Sequence, residues 1–283
     1  MYAKGSLQFL AGQRPSIPRT SVNPVKVYEF NARDGMKIPT LLTIPAGKEG
    51  ANLPAILMPH GGPESYDRMS FNYMAQYFAS QGYLVIQPQF RGSSGFGRNH
   101  LLAGRGEWGR KMQDDLTDAV LNLSESGKIN KDRVCIVGSS YGGYAALVGA
   151  VFTPNLYQCV VSVNGVSDVE EMLQEEKDTY GRNHWVVAYW QDVIAEGNVK
   201  EDHLEKISPI NYVKNIKAPV LLIHGQYDKV VPIEQSENMA DEMEGEDKNV
   251  TFIQLEKGDH HLSKAKNRMK ALQAIHKFVK QHI

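Results

Sequence analysis

The chain has 283 residues, 22% of them charged, and a formal net charge of −1. That balance supplies no basic field to hold nucleic acid or an anionic membrane surface, so a small or neutral molecule is the expected partner. Because α/β folds often gather about 250 residues around one core, the simplest reading is one large domain over 25–283 preceded by an N-terminal arm.

Residues 1–20 lack a signal peptide's continuous apolar core and small-residue cleavage site, so the chain reads as cytoplasmic, or as periplasmic or secreted if cut from a longer precursor. Residues 11–24 are rich in Pro, Ser and Arg and complete an extended arm over 1–24. From Val25 onward, short β-branched runs alternate with helical patterns. Strands are expected at Lys26–Asn31, Lys37–Ile44, Pro54–Met58, Tyr83–Gln87, Arg133–Val137, Cys159–Val163, Pro219–His224 and Val250–Leu255. Helices are expected at roughly 70–81, 109–126, 141–152, 233–244 and 263–281, the alternation of a parallel sheet covered on both faces. The first two strands, joined across Asp34-Gly35, should form an antiparallel hairpin at one sheet edge. The fold class is therefore α/β: an eight-stranded, mostly parallel sheet.

No charged residue occurs from Val134 to Ser167, but the glycines, Pro154 and Asn155 within this stretch keep every apolar run well short of the roughly 20 residues of a membrane span. Cys135 and Cys159 lie in β-rich apolar runs, where a thiol behaves as a small hydrophobe, and no disulfide framework is expected. Residues 167–212, too long for a simple crossover, read as an insertion over the C-terminal edge of the sheet, where ligands bind in open α/β folds.

After the fifth strand comes Gly138-Ser139-Ser140-Tyr141-Gly142-Gly143, followed by a helical pattern. Gly-x-Ser-x-Gly between strand and helix makes a strained turn that lifts the serine above the sheet, so Ser140 is the expected nucleophile. The orienting acid and the base should follow in that order. Asp228 stands just beyond the seventh strand, and His260 and His261 both follow the eighth. Either histidine fits the base on this ground alone. A zinc site at Asp259, His260 and His261 is disfavoured, because consecutive histidines in one loop rarely converge on one metal. His224 is expected to close its strand structurally. Oxyanion donors are expected at the backbone N–H of Tyr141 and of Gly61, the latter in His60-Gly61-Gly62-Pro63.

Together, His60-Gly61-Gly62-Pro63, Phe90-Arg91-Gly92-Ser93-Ser94-Gly95-Phe96-Gly97, Gly106-Glu107-Trp108-Gly109, Gly138-Ser139-Ser140-Tyr141-Gly142-Gly143, Asp228-Lys229-Val230-Val231-Pro232 and Asp259-His260-His261-Leu262-Ser263 resemble the prolyl oligopeptidase family of serine peptidases, in its acylaminoacyl-peptidase and dipeptidyl-peptidase branch. The resemblance implies His260 as the base, since in similar sequences the base directly follows the acidic residue. It also implies substrate contacts at His60, Tyr141, Val166, Val169 and Val231, and an apolar pocket for the residue that supplies the scissile carbonyl. Arg91 and Glu107 are read as structural. Two departures, His60 in place of a tyrosine and Val230 in place of an arginine, argue against prolyl endopeptidase activity. Family members normally carry an upstream β-propeller, and residues 1–24 look like the segment leaving one, which suggests an excised catalytic domain or a natural short form.

The expected activity is hydrolysis of peptide or acyl-aminoacyl bonds of short peptides through an acyl-enzyme, with no cofactor and no metal. A carboxylesterase acting on small acyl esters with the same residues is the first alternative, and a non-catalytic binding protein the second. The expected partners are a short peptide or acyl-amino acid and, as an open option, a second copy of the chain. Glu170, Glu171, Glu175 and Glu176 in the insertion are expected to form a solvated helix face.

Overall fold

The computed structural model describes residues 14–48 and 52–283, together with the backbone of residues 2–3 and 6–7. Of the arm expected over 1–24, residues 1, 4–5 and 8–13 lie outside the described residues. The chain order is β1 (Tyr2–Ala3), β2 (Ser6–Leu7), β3 (Val25–Asn31), β4 (Lys37–Thr43), β5 (Leu53–Leu57), α1 (Tyr73–Ser80), β6 (Leu84–Pro88), α2 (Arg98–Leu102), α3 (Lys111–Glu125), β7 (Ile129–Ser139) and α4 (Tyr141–Phe152). Then follow β8 (Cys159–Val163), α5 (Val169–Tyr180), α6 (Trp185–Ala195), α7 (Glu201–Ile207), β9 (Val220–Gly225), α8 (Glu234–Gly245), β10 (Val250–Leu255) and α9 (Ala265–His282).

β1 and β2 pair with each other, and the other eight strands form one sheet in the order β10-β9-β8-β7-β5-β6-β4-β3. Within this sheet β4 pairs antiparallel with both β3 and β6, while every other pairing is parallel. The expected eight strands and edge hairpin are thus present, with β4 alone running against the rest. The central strands are buried along their whole length, as in β8, because helices cover both faces and leave no side for polar alternation. Alternate residues feed two cores: Leu57, Ile136 and Val160 join Leu116, Val148 and Met239 on one face. On the other, Ile56, Val137 and Val161 pack with Phe78 and Ile275. The first face carries α3, α4 and α8, and the second carries α1 and α9.

The expectation for the cysteines is corrected: Cys135 and Cys159 are joined in a disulfide. They are direct register partners on the neighbouring strands β7 and β8, with Cα atoms 4.7 Å apart, inside the range a disulfide needs. Strand propensity reveals that both residues are buried but not that they face each other. Residues 167–212 fold into α5, α6, α7 and the first part of a 3₁₀ segment, Pro209–Asn215, and the short α2 adds a helix absent from the sequence-based expectation.

Candidate active site

β7 ends at Ser139, and Ser140 turns the chain into α4 with φ 57° and ψ −125°, a strained conformation for a side chain other than glycine. The turn is over-determined by its surroundings. The Ser140 N–H donates to Val163 O (2.9 Å), and Ser140 O accepts from the Tyr144 N–H (3.0 Å). A Cβ on Gly138 would overlap the carbonyl of Gly142, and one on Gly142 would overlap that of Pro59. Glycine is required because backbone packs directly on backbone there.

The parallel register brings the ends of β9 and β10 together, with Gly225 opposite Leu255, and the loops beyond them carry the other two groups. His260 Nδ1 lies 2.7 Å from Asp228 Oδ2, and its Nε2 lies 3.0 Å from Ser140 Oγ. The second oxygen of Asp228 accepts the N–H groups of Val230 (2.8 Å) and Val231 (3.0 Å). Burial by itself would raise the Asp228 pKa. The nearby His224 dipole, the hydrogen bond from His260 and those from the Val231 and Val230 backbone outweigh it and hold the carboxyl well below the usual range. Since an ionised carboxylate only accepts, His260 Nδ1–H is the donor, and Nε2 is left to accept from the Ser140 hydroxyl. His261 is exposed and meets His260 only ring edge to ring face, at 5.4 Å.

One supporting residue went unnoticed in the sequence, and a second does more than expected. Asn164, at positive φ, accepts the Gly225 N–H (2.9 Å) and donates to His260 O (2.9 Å), tying the end of β9 to the histidine loop. The only available signal was a polar residue ending an apolar strand. His224 does close its strand, through Val231 O (2.9 Å) and Ser236 Oγ (2.7 Å), and it also stands 3.6 Å from Asp228 Oδ2. That is beyond a good hydrogen bond, so its effect on the acid is mainly that of a nearby dipole.

Gly61 comes close to Ser140: a Cβ there would sit 3.4 Å from Ser140 Cβ and 3.3 Å from Ser139 O. The Tyr141 N–H, in the first turn of α4, has no acceptor within its own helix. His60 is turned inward, its ring stacked on Phe90 at 4.3 Å. Its nitrogens are taken up by Gly61 O (2.7 Å) and Ser93 Oγ (2.8 Å), so no ring nitrogen is free for a ligand. Burial lowers its pKa to about 4; it is neutral at pH 7.

Tyr141, Val166, Val169 and Val231 all belong to the α3/α4/α8 core and are each 4% exposed or less. Tyr141 packs edge-on to Trp108 (4.7 Å), and Trp108 to Trp190 of α6 (5.9 Å). Arg91, as expected, is structural: its buried guanidinium pairs with Asp115 (2.7 Å) and Asp34 (2.8 Å). The glutamates of α5 are not one solvated face. Glu170 is exposed, whereas Glu171, Glu175 and Glu176 are half-buried. Desolvation, then the charges of Glu171, Glu234 and Glu176, pushes Glu175 up to about 7. Among the described residues, no cluster of three His, Cys, Asp or Glu could hold a metal, and no helix is long and apolar enough to cross a membrane.

The model of the prolyl oligopeptidase family matches residues 69–283. Dipeptidyl aminopeptidase BIII of Pseudoxanthomonas mexicana is 32% identical over 282 residues, covering 96% of this chain and 40% of the relative. An acylaminoacyl peptidase structure from Pyrococcus horikoshii superposes with a TM-score of 0.86 at 25% identity, over 99% of this chain and 45% of that one. A Mycobacterium tuberculosis puromycin-hydrolyzing peptidase gives 0.86 at 25% identity, over 94% and 40%. The chain thus spans less than half the length of each.

Proposed function

The chain belongs to the prolyl oligopeptidase family, and from that premise we propose that it is a serine peptidase cleaving peptide or acyl-aminoacyl bonds of short peptides. The observation that supports this most is the hydrogen-bonded line from Ser140 through His260 to Asp228. Ser140 Oγ attacks the scissile carbonyl carbon as His260 Nε2 takes its proton, and Asp228 stabilises the imidazolium without becoming protonated. The carbonyl oxygen, now negative, is received by the N–H groups of Tyr141 and Gly61, and each such donor is worth about 10²–10³ in rate. The tetrahedral adduct collapses, the C–N bond breaks, and His260 returns the proton to the departing amine. Water then repeats the sequence on the acyl-enzyme.

Tyr141, Val166 and Val231, each 3–4% exposed, bring no charge to the acyl side of the site, so a hydrophobic or small residue is favoured next to the scissile carbonyl; Val169, fully buried, only packs behind them. An unpaired buried charge would cost several kcal/mol. Fluorophosphonate labelling with peptide mapping tests the nucleophile: label is expected on Ser140, and label on Ser139 or none would overturn the mechanism. Aminoacyl nitroanilides compared with short nitrophenyl esters test the bond type, and measurable turnover of esters alone would replace the peptidase by an esterase. Within the nitroanilides, kcat/KM for Arg or Lys equal to that for Leu, Phe or Ala would sink the apolar pocket and point to the α5 glutamates.

A further inference from the structure

A cavity of about 230 Å³ opens beside the nucleophile, lined by Met58, Gly61, Tyr73, Met74 and Ser139, with Asp67 at its wall. It lies on the other side of Ser140 from the apolar residues assigned to the acyl group. Tyr141, Val166, Val169 and Val231 belong to the α3/α4/α8 core. Met58 and the neighbouring Val137 and Val163, which also line the cavity, belong to the α1/α9 core, with Met74 packed against it. A scissile bond centred over Ser140 has one substituent for each side. If the acyl part takes the first, the part that leaves as an amine faces the second.

We propose that this cavity receives the residue leaving with the amine, and that Asp67 selects a cationic side chain there. The inference rests on the peptidase reading above and adds the substrate class on the leaving side. Asp67 is held in place through its backbone: its N–H donates to Gln89 Oε1 (3.1 Å), and its carbonyl accepts from Gln89 Nε2 (2.7 Å). Gln89 itself is buried. Asp67 Oδ2 is fully enclosed and has no hydrogen-bond partner among the described residues. Buried carboxylate oxygens normally have one, and leaving one unmatched is costly. Burial, opposed by a hydrogen bond from Gln87, pushes the Asp67 carboxyl up to about 6, so it is ionised at pH 7 in surroundings where a cation would be welcome.

Nearby groups do not supply that cation. His60, which also lines the cavity, is neutral, and the Arg68 guanidinium lies over the Tyr66 ring at 5.3 Å. A lysine side chain fits the remaining chemistry, with its four-carbon stem along Met58, Tyr73 and Met74 and its ammonium meeting the Asp67 carboxylate once the side chains enclosing Oδ2 part to admit it.

Acyl transfer isolates this subsite from the acyl pocket. The whole chain is acylated with an acyl nitrophenyl ester, and the acyl-enzyme is partitioned between lysinamide and norleucinamide at equal concentration and pH 7.5. The α-amine nitrogen attacks the ester carbon, the C–Oγ bond breaks, and the amine's proton passes through His260 to Ser140 Oγ. The Nα-acyl lysinamide product is expected to exceed the norleucinamide product by about tenfold, the value of one charge-assisted hydrogen bond. In Asp67→Asn the ratio should fall toward one, with the nitrophenolate burst reporting that the variant is folded. A burst with a ratio near one in the wild type, or a ratio that Asp67→Asn leaves untouched, would overturn the subsite. Absence of any burst from the wild type would instead overturn the peptidase reading, and the proposal with it.

Discussion

The turn at Ser140 and the insertion over 167–212 meet through Trp108, which packs on Tyr141 from one side and Trp190 from the other, yet they are held by different means. At the turn, backbone lies on backbone, and a single methyl group at Gly138 or Gly142 has nowhere to go. The insertion is secured by side chains. Gln235 caps the entry to α5 by accepting the Ser167 and Asp168 N–H groups, both at 2.8 Å. Tyr189 reaches Glu64, and Arg105 pairs with Glu64 and Asp192. Catalytic chemistry needs sub-ångström placement, which packed backbone provides; elements held by paired side chains can vary in sequence and shift without disturbing the turn.

The largest effect should come from the reacting groups. His260→Ala is expected to lower kcat on an acyl-aminoacyl nitroanilide by about 10⁴-fold or more, while His261→Ala keeps most of the activity; the reverse pattern would move the base to His261. Next comes steric tolerance. Gly142→Ala should destabilise the fold by about 3 kcal/mol or more in urea titration. Gly181→Ala, at φ 90° and ψ 144° beyond α5 with open space around it, should cost less, about 2 kcal/mol from backbone strain alone. Equal costs would erase the distinction between the two regions.

A smaller effect is expected where the regions are coupled. Arg105→Met cuts the link between α6 and the loop after Gly61, so kcat/KM should drop several-fold while stability changes by less than about 1 kcal/mol, as for other half-exposed ion pairs. Unchanged kinetics would make the insertion a passive cover. The smallest concerns Glu175. A carboxyl whose folded pKa is raised binds protons more tightly in the folded state, so its charge destabilises. The penalty is absent below the unfolded value near 4.5, grows as pH rises, and is complete above about 7. Glu175→Gln should therefore raise Tm by about one degree at pH 8, given the side chain's exposure, and leave it unchanged at pH 4. A gain equal at both pH values would assign the effect to packing.

Much of this was legible in the chain because it is set locally. Most strands of the main sheet announce themselves by a β-branched or apolar run, and Gly-x-Ser-x-Gly between strand and helix permits one turn geometry. Since the sheet is nearly all parallel, groups just past strand ends gather at one edge, so Asp228 and one of His260 and His261 could be anticipated beside Ser140; the resemblance implied His260, and it is His260 that lies there. The charged α5 resisted the same treatment. Its glutamates look like a solvated stripe until α6 and α8 cover three of them, and periodicity does not say which neighbour covers a helix.

By itself the sequence determined the eight strands of the main sheet, the elbow at Ser140, and the chain order of Ser140, Asp228 and the histidine pair past later strand ends, because steric limits on backbone and hydrophobic period act within a few residues. Only the tertiary structure decided the rest. It set Cys135 opposite Cys159 through strand register, turned His60 inward onto Phe90, used Asn164 to bind one loop to another, and left one oxygen of Asp67 enclosed without a partner. Each of these depends on contacts between residues far apart along the chain, and side-chain type alone carries no record of which distant group it will meet.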